Sequence, residues 1–157
     1  MTMDTPRDLC LRRRLLAGAG ALACAPWLPA RAADPELPGL PALTAFLAGR
    51  TPRRGRLHLE LPQLADNGQV VPMRVVMDGP FAPGPRVASI HLYSESNPVP
   101  EMAAFEFPVP VERVEVESRV RLASSQRVVA VATMSDGALH AAVAEVIVTI
   151  AGCMDGT

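Results

Sequence analysis

The sequence predicts an all-β domain, an immunoglobulin-like antiparallel β-sandwich with a short N-terminal helix and a flexible C-terminal arm. Three observations lead there. Between residues 57 and 150 the apolar residues recur with a period of two, they fall into seven or eight short runs, and each run is closed by Gly, Pro, Asn or Asp. Evenly spaced short strands with turn chemistry between them are the mark of a sandwich. A closed barrel fits the same pattern.

Each element has its own signal. Residues 34–41 are Pro-rich and extended. Leu40 to Ala48 (LPALTAFLA) places Leu40, Leu43 and Leu47 on one face of two helical turns. Gly49 to Gly55 is a basic loop. Leu57, Leu59 and Leu61 alternate with His58 and Glu60, as in a half-buried strand. Asp66-Asn67-Gly68 is a turn, and Val70 to Met77 is the next strand, stopped by Asp78-Gly79-Pro80. In Val87 to Ser94 the alternation puts Val87, Ser89, His91 and Tyr93 on one side and Ala88, Ile90 and Leu92 on the other. A short strand around Phe105 and Phe107 follows, bounded by prolines. Val114, Val116, Ser118, Val120 and Leu122 alternate with Glu115, Glu117, Arg119 and Arg121, which is the clearest amphipathic strand. Gln126 to Met134 leads to the turn Ser135-Asp136-Gly137, and Ala141 to Ile150 closes the sandwich. The core is expected to be aliphatic.

The first 32 residues read as a signal peptide. Arg12-Arg13-Arg14 precedes a Gly/Ala-rich apolar run to Leu28, and Ala30-Arg31-Ala32 is an A-x-A cleavage pattern. Paired arginines before a weakly hydrophobic run favour the twin-arginine route, hence a periplasmic protein. A lipoprotein signal modified on Cys24 is a weaker alternative, because the aliphatic residue of Ala21-Leu22-Ala23-Cys24 sits one place late. The expected layout is therefore 1–32 signal, 33–56 N-terminal extension with the helix, 57–150 sandwich and 151–157 arm.

Removal of residues 1–32 takes away five arginines and two aspartates. Ten arginines then face fourteen acidic residues, a formal charge of −4, with no basic tract for nucleic acid or an anionic membrane. Cys10 and Cys24 leave with the signal, so Cys153 is the one cysteine of the mature chain and has no intramolecular disulfide partner. A lone thiol in an oxidising compartment is exposed to cross-linking and oxidation, so its presence calls for a function.

Little else in the chain suggests chemistry. His58, His91 and His140 lie on or beside separate strands at no ligand spacing and read as surface or rim histidines. Ser89, Ser135, Asp136 and His140 lack a nucleophile-elbow context. Met73, Met77, Met102 and Met134 lie in apolar strand patterns and read as core filler. No phosphate loop or cofactor fingerprint is present, and no cofactor or metal is expected. Cys153 stands apart by its place in Ala151-Gly152-Cys153-Met154-Asp155-Gly156-Thr157. Gly152 and Gly156 add backbone freedom on both sides, and seven extended residues span up to roughly 23 Å. Asp155 and the terminal carboxylate raise the thiol pKa, so Cys153 reads as a handle for other enzymes and not as a self-activated nucleophile.

The stretches Ser89–Phe107, Ser118–Ala142 and Ala144–Cys153, with Leu64–Pro80, resemble the SoxY family of thiosulfate-oxidation carrier proteins. The run Arg121-Leu122-Ala123, Gln126, Val128 to Ala132 and Met134 to Gly137 is quite specific to it. The resemblance implies an Ig-like sandwich in a heterodimer with a SoxZ-like subunit. It also implies a terminal GGCGG arm whose cysteine, here Cys153, carries S-linked sulfur intermediates. In that scheme a SoxAX-like c-type cytochrome pair conjugates thiosulfate, a SoxB-like dimanganese hydrolase releases sulfate, and a SoxCD-like dehydrogenase oxidises the remaining sulfur. The carrier itself is no enzyme. Gly152 and Cys153 match the motif, whereas Ala151, Met154 and Asp155 depart from it. Three readings remain open: a working carrier, a paralogue with another sulfur-transfer role, or an assembly subunit with a vestigial or structural cysteine. An independent enzyme has no motif behind it.

Overall fold

A computed structural model of the chain describes residues 36–81 and 83–149. The expected signal peptide and the arm residues Gly152, Cys153 and Gly156 lie outside the described residues. One short helix and eight strands follow in order: α1 (Pro41–Leu47), β1 (Leu57–Glu60), β2 (Leu64–Ala65), β3 (Val71–Met77), β4 (Val87–Ser94), β5 (Glu101–Glu106), β6 (Val114–Val120), β7 (Gln126–Met134) and β8 (Leu139–Val148). They form a three-stranded sheet, β1-β3-β6, and a five-stranded sheet, β2-β8-β7-β4-β5. The two pack face to face, so the all-β, Ig-like sandwich expected from the sequence is the fold observed.

The core between the sheets is aliphatic. Val71, Met73, Val75 and Met77 of β3 meet Ile90, Leu92, Val128, Ala130, Ala132 and Val146 of the larger sheet. Alternation on β3 is strict because its other face meets water; β7 instead is buried at nearly every position. The reason is α1, which lies on the outer face of the five-stranded sheet. Leu40 and Leu43 pack there with Tyr93, Val129, Val131, Leu139 and Ala141. A seven-residue helix is marginal alone, so this contact is what holds it. Its C-terminal carbonyls are also satisfied, since the Arg50 guanidinium donates to the Leu47 and Phe46 oxygens at 3.1 Å each.

Two departures from the sequence pattern have local causes. Val87 is not on the His91–Tyr93 side. The β4–β7 register shifts between Val87 and Ser89, and this bulge turns Val87 into the core with Ile90 and Leu92. The sheets are also not wholly antiparallel, because β2, which the alternation did not reveal, pairs in parallel with the end of β8. The β7–β8 hairpin follows the expected turn: the Asp136 carboxylate accepts from the Ala138 N–H at 3.0 Å, and Gly137 takes the left-handed conformation at φ 82°.

Candidate functional site

With Cys153 outside the described residues, the structure bears on the root of its arm. β8 is secured to its last described residue from two sides. On the β2 side, Ile147 N–H donates to the Gln63 oxygen at 2.9 Å and Thr149 N–H to the Ala65 oxygen at 3.0 Å. The Thr149 hydroxyl adds a bond to the Asp66 oxygen at 2.8 Å. On the other side, the Ser125 hydroxyl accepts from Val148 N–H at 2.9 Å. The expected strand end at Ile150 is therefore close: β8 ends at Val148 and Thr149 is still held. Cys153 is the fourth residue after Thr149, a reach of at most about 14 Å.

A polar network stiffens the same end of the sandwich. Gln126, at the start of β7, is buried, and its amide donates to the Asn97 side-chain oxygen at 3.0 Å and the Ser124 carbonyl at 3.2 Å. Its oxygen accepts from Ser96 N–H at 2.8 Å. Asn97 in turn donates to the Arg121 carbonyl at 2.8 Å and accepts from Ala123 N–H at 2.9 Å. Two loops are thereby joined by side chains whose buried polar groups are satisfied, which fixes their geometry as well as adding stability. Beside them Arg127 grips Glu95 with two nitrogens, at 2.7 and 3.0 Å. That guanidinium holds the Glu95 carboxyl below the usual carboxylate range.

The remaining candidates are placed apart. His58 Nε2 lies 2.7 Å from an Asp78 oxygen on the exposed face of β1. His91 Nδ1 lies 2.8 Å from Glu101, and its ring sits 4.5 Å from Phe46 of α1. Next to it Tyr93 is fully buried, and burial, aided by Glu101, pushes its pKa up to about 12. His140 corrects the expectation of a surface or rim residue. It is only 4% exposed, and its Nδ1 has no partner among the described residues. Burial first, then Arg56 and Arg53, lower its pKa, with Asp136 opposing. Among the described residues no three His, Cys, Asp or Glu side chains gather as a metal site.

The Ser135 hydroxyl accepts from Arg86 N–H at 3.1 Å and serves the turn. Met73, Met77 and Met134 are core residues, with Met102 packed against them. An open groove of about 870 Å³ on the smaller sheet is crossed by Arg74, whose guanidinium already binds Glu60 and Glu115. A second, of about 410 Å³, lies between the edge strands β5 and β6, lined by Met102, Phe105 and Arg121. Among the described residues no helix is long and apolar enough to cross a membrane.

The comparison that decides the family covers the sandwich and the start of the expected arm: the model of the sulfur oxidation protein SoxY matches residues 43–153. The chain belongs to the SoxY family. It is thus a sulfur-oxidation protein, and the SoxY match runs through the end of β8 to Cys153. No curated protein matches the chain. Among solved structures it is similar to a Thermotoga maritima protein assigned as a superoxide reductase. The identity is 15% over 62% of this chain and 93% of that one, with a TM-score of 0.52. A superoxide reductase (neelaredoxin) from Ignicoccus hospitalis is 19% identical over 60% of this chain and 80% of its own, with a TM-score of 0.47. At these identities the first likeness is one of fold, and the second carries no argument.

The Asn97–Gln126 network and the Ser125 clamp were missed by sequence reasoning. Their signal was Ser-Ser-Gln directly before an apolar strand, in the stretch most specific to SoxY. Its meaning emerges only when the loop after β4 is brought beside it.

Proposed function

We propose that this SoxY chain is the periplasmic sulfur carrier of a thiosulfate-oxidising system, with Cys153 holding sulfur intermediates covalently for other enzymes to process. The observation that carries the reading is the anchored arm root. β8 is tied down through Thr149, and the lone cysteine of the mature chain follows four residues later, inside the matched family region. Such an arrangement offers a thiol at a fixed origin with a short reach.

The proposed cycle balances. The Cys153 thiol and thiosulfate lose two electrons and one proton to give an S–S–SO3⁻ adduct, the electrons passing to a c-type cytochrome. Water then cleaves the terminal S–S bond, releasing hydrogen sulfate and leaving a persulfide on Cys153. A dehydrogenase then oxidises that outer sulfur to an S–SO3⁻ group, with three waters supplying the oxygens and six electrons and seven protons leaving, the electrons through an acceptor. A second hydrolysis releases hydrogen sulfate and restores the Cys153 thiol. The chain itself supplies the bound sulfur atom and no turnover, and it is exported by the twin-arginine route and paired with a SoxZ-like subunit.

Met154 and Asp155 favour a second reading, an assembly subunit whose cysteine is vestigial, because they add bulk and negative charge beside an anionic cargo. Intact mass of the mature protein from its host grown on thiosulfate separates the two. Adducts of sulfur, thiosulfate or sulfonate mass that disappear in Cys153→Ser are the expected result. A bare thiol, or growth on thiosulfate unaffected by Cys153→Ser, would establish the second.

A further inference from the structure

The outer face of the five-stranded sheet is divided along β8. Leu139, Ala141 and Val143 are covered by α1. Next comes a charged belt, where Glu145 pairs in register with Arg127, itself bound to Glu95. Beyond the belt the face turns apolar again. Leu64 of β2 and Ile147 of β8 are direct register partners, 57% and 55% exposed. Their neighbours Ala65 and Val146 point into the core, so this pair points outward. The other large exposed apolar residues among those described, Val70, Val99 and Val109, lie in loops. Leu64 and Ile147 alone of that set form a side-by-side pair on sheet backbone.

The pair sits where the arm begins. Ile147 precedes Thr149 by two residues, about 7 Å along the strand. Cys153 reaches at most about 14 Å from Thr149. An enzyme that draws the Cys153 sulfur into its active site must therefore bring the rim of that site onto the surface around Thr149.

We infer that Leu64 and Ile147 form the docking patch for the enzymes that process the Cys153 cargo, and that it receives an apolar rim around their active-site mouths. This rests on the carrier reading above. Two aliphatic side chains held rigidly by the β2–β8 pairing give a small, non-directional contact. That suits a surface which must accept several enzymes in turn and release each, with the tethered cysteine supplying the specific contact.

The test uses periplasmic extract from a strain of the host lacking this chain. Purified carrier is added back, and thiosulfate-dependent sulfate release is followed against carrier concentration. For Leu64→Thr with Ile147→Thr, which keeps strand-compatible side chains, the half-saturating concentration should rise about tenfold with the maximal rate retained, as expected for lost uniform binding. Alkylation of Cys153 by iodoacetamide should proceed at the wild-type rate. If the double variant does not fold, Leu64→Thr alone, on the two-residue edge strand, should give about a threefold rise. Half-saturation within twofold of wild type, while Cys153→Ser abolishes release, overturns the docking patch and leaves the carrier intact. Loss of a co-purifying subunit in the double variant also overturns it, by assigning the pair to a permanent partner. Release undiminished by Cys153→Ser would overturn the carrier reading itself.

Discussion

The two sheets solve the problem of their outer faces differently. The five-stranded sheet hides the middle of its outer face beneath α1, so β7 is buried on both sides and reads as an almost unbroken apolar run, Val128 to Met134. The three-stranded sheet leaves its outer face in water and covers it with charge. There Arg74 binds Glu60 at 2.9 Å and Glu115 at 2.6 Å, Arg113 pairs with Glu115, and His58 meets Asp78. An aliphatic layer is rigid and dry, whereas a web of exposed ion pairs is soluble and adds little stability. The arm root extends from the rigid sheet. On the carrier reading proposed above, that placement gives the Cys153 segment a fixed origin.

The contrast predicts a ranking of destabilisation. Ile90→Ala empties a site between the sheets that is fully buried, and urea unfolding should register a loss of about 3–4 kcal/mol. Leu43→Ala, under the helix, should cost about 2–3 kcal/mol, because a short helix can settle into the space more easily than a sheet can. Equal losses, or a larger one for Leu43, would mean that α1 is as integral to the core as the facing sheet.

A second prediction concerns the seam that joins the N-terminal extension to the rigid sheet. Arg53 bonds β8 on both sides of His140, donating to Leu139 and accepting from Ala141. His140 faces the interior there, near Arg53, Arg56 and Asp136, and is held neutral with a pKa below the ordinary 6.5. The unfolded chain takes up the proton more readily than the folded one. Stability from this group is therefore complete above about pH 6.5 and falls as pH drops through the interval down to the folded-state pKa. His140→Gln should flatten that part of the stability profile, compared by urea midpoints near neutral pH and at about pH 5. Parallel profiles for the two proteins would show that His140 is protonated equally in both states.

Much of this architecture was written in the sequence, and the exceptions share a cause. Strands β4 and β7 were legible to the residue, because period-two patterning and Gly or Pro boundaries are local properties. Leu40, Leu43 and Leu47 were legible as a helix face, but not the sheet beneath them. The continuous apolar run of β7 was the available hint that something covers its second face. β2 was invisible, since two residues with an exposed Leu64 carry no period. Val87 was assigned to the wrong side because a single-residue bulge inverts alternation without leaving a compositional trace. His140 resembled His58 and His91 in sequence, and only the pairing of Arg53 with β8 buries it. Cys153 was singled out by subtraction, because Cys10 and Cys24 fall in the expected signal segment. What holds its root, Ser125 and the Asp66 carbonyl, depends on contacts across 23 and 83 residues.

The smallest effect is expected on the charged face. Arg74→Gln removes the cation on β3 that Glu60 of β1 and Glu115 and Glu117 of β6 share. Its pKa is raised, with the hydrogen bond to Glu60 the largest cause and that to Glu115 next. The side chains concerned are largely or partly in water, so their attraction is screened and easily replaced. The urea midpoint should move less than for Leu43→Ala. The shift should shrink further in about 1 M NaCl, where charges more than about 3 Å apart are screened from one another. A shift that matched Leu43→Ala and ignored salt would place Arg74 among the packing residues of the sheet, through its aliphatic stem. The two faces would then differ in composition and not in kind.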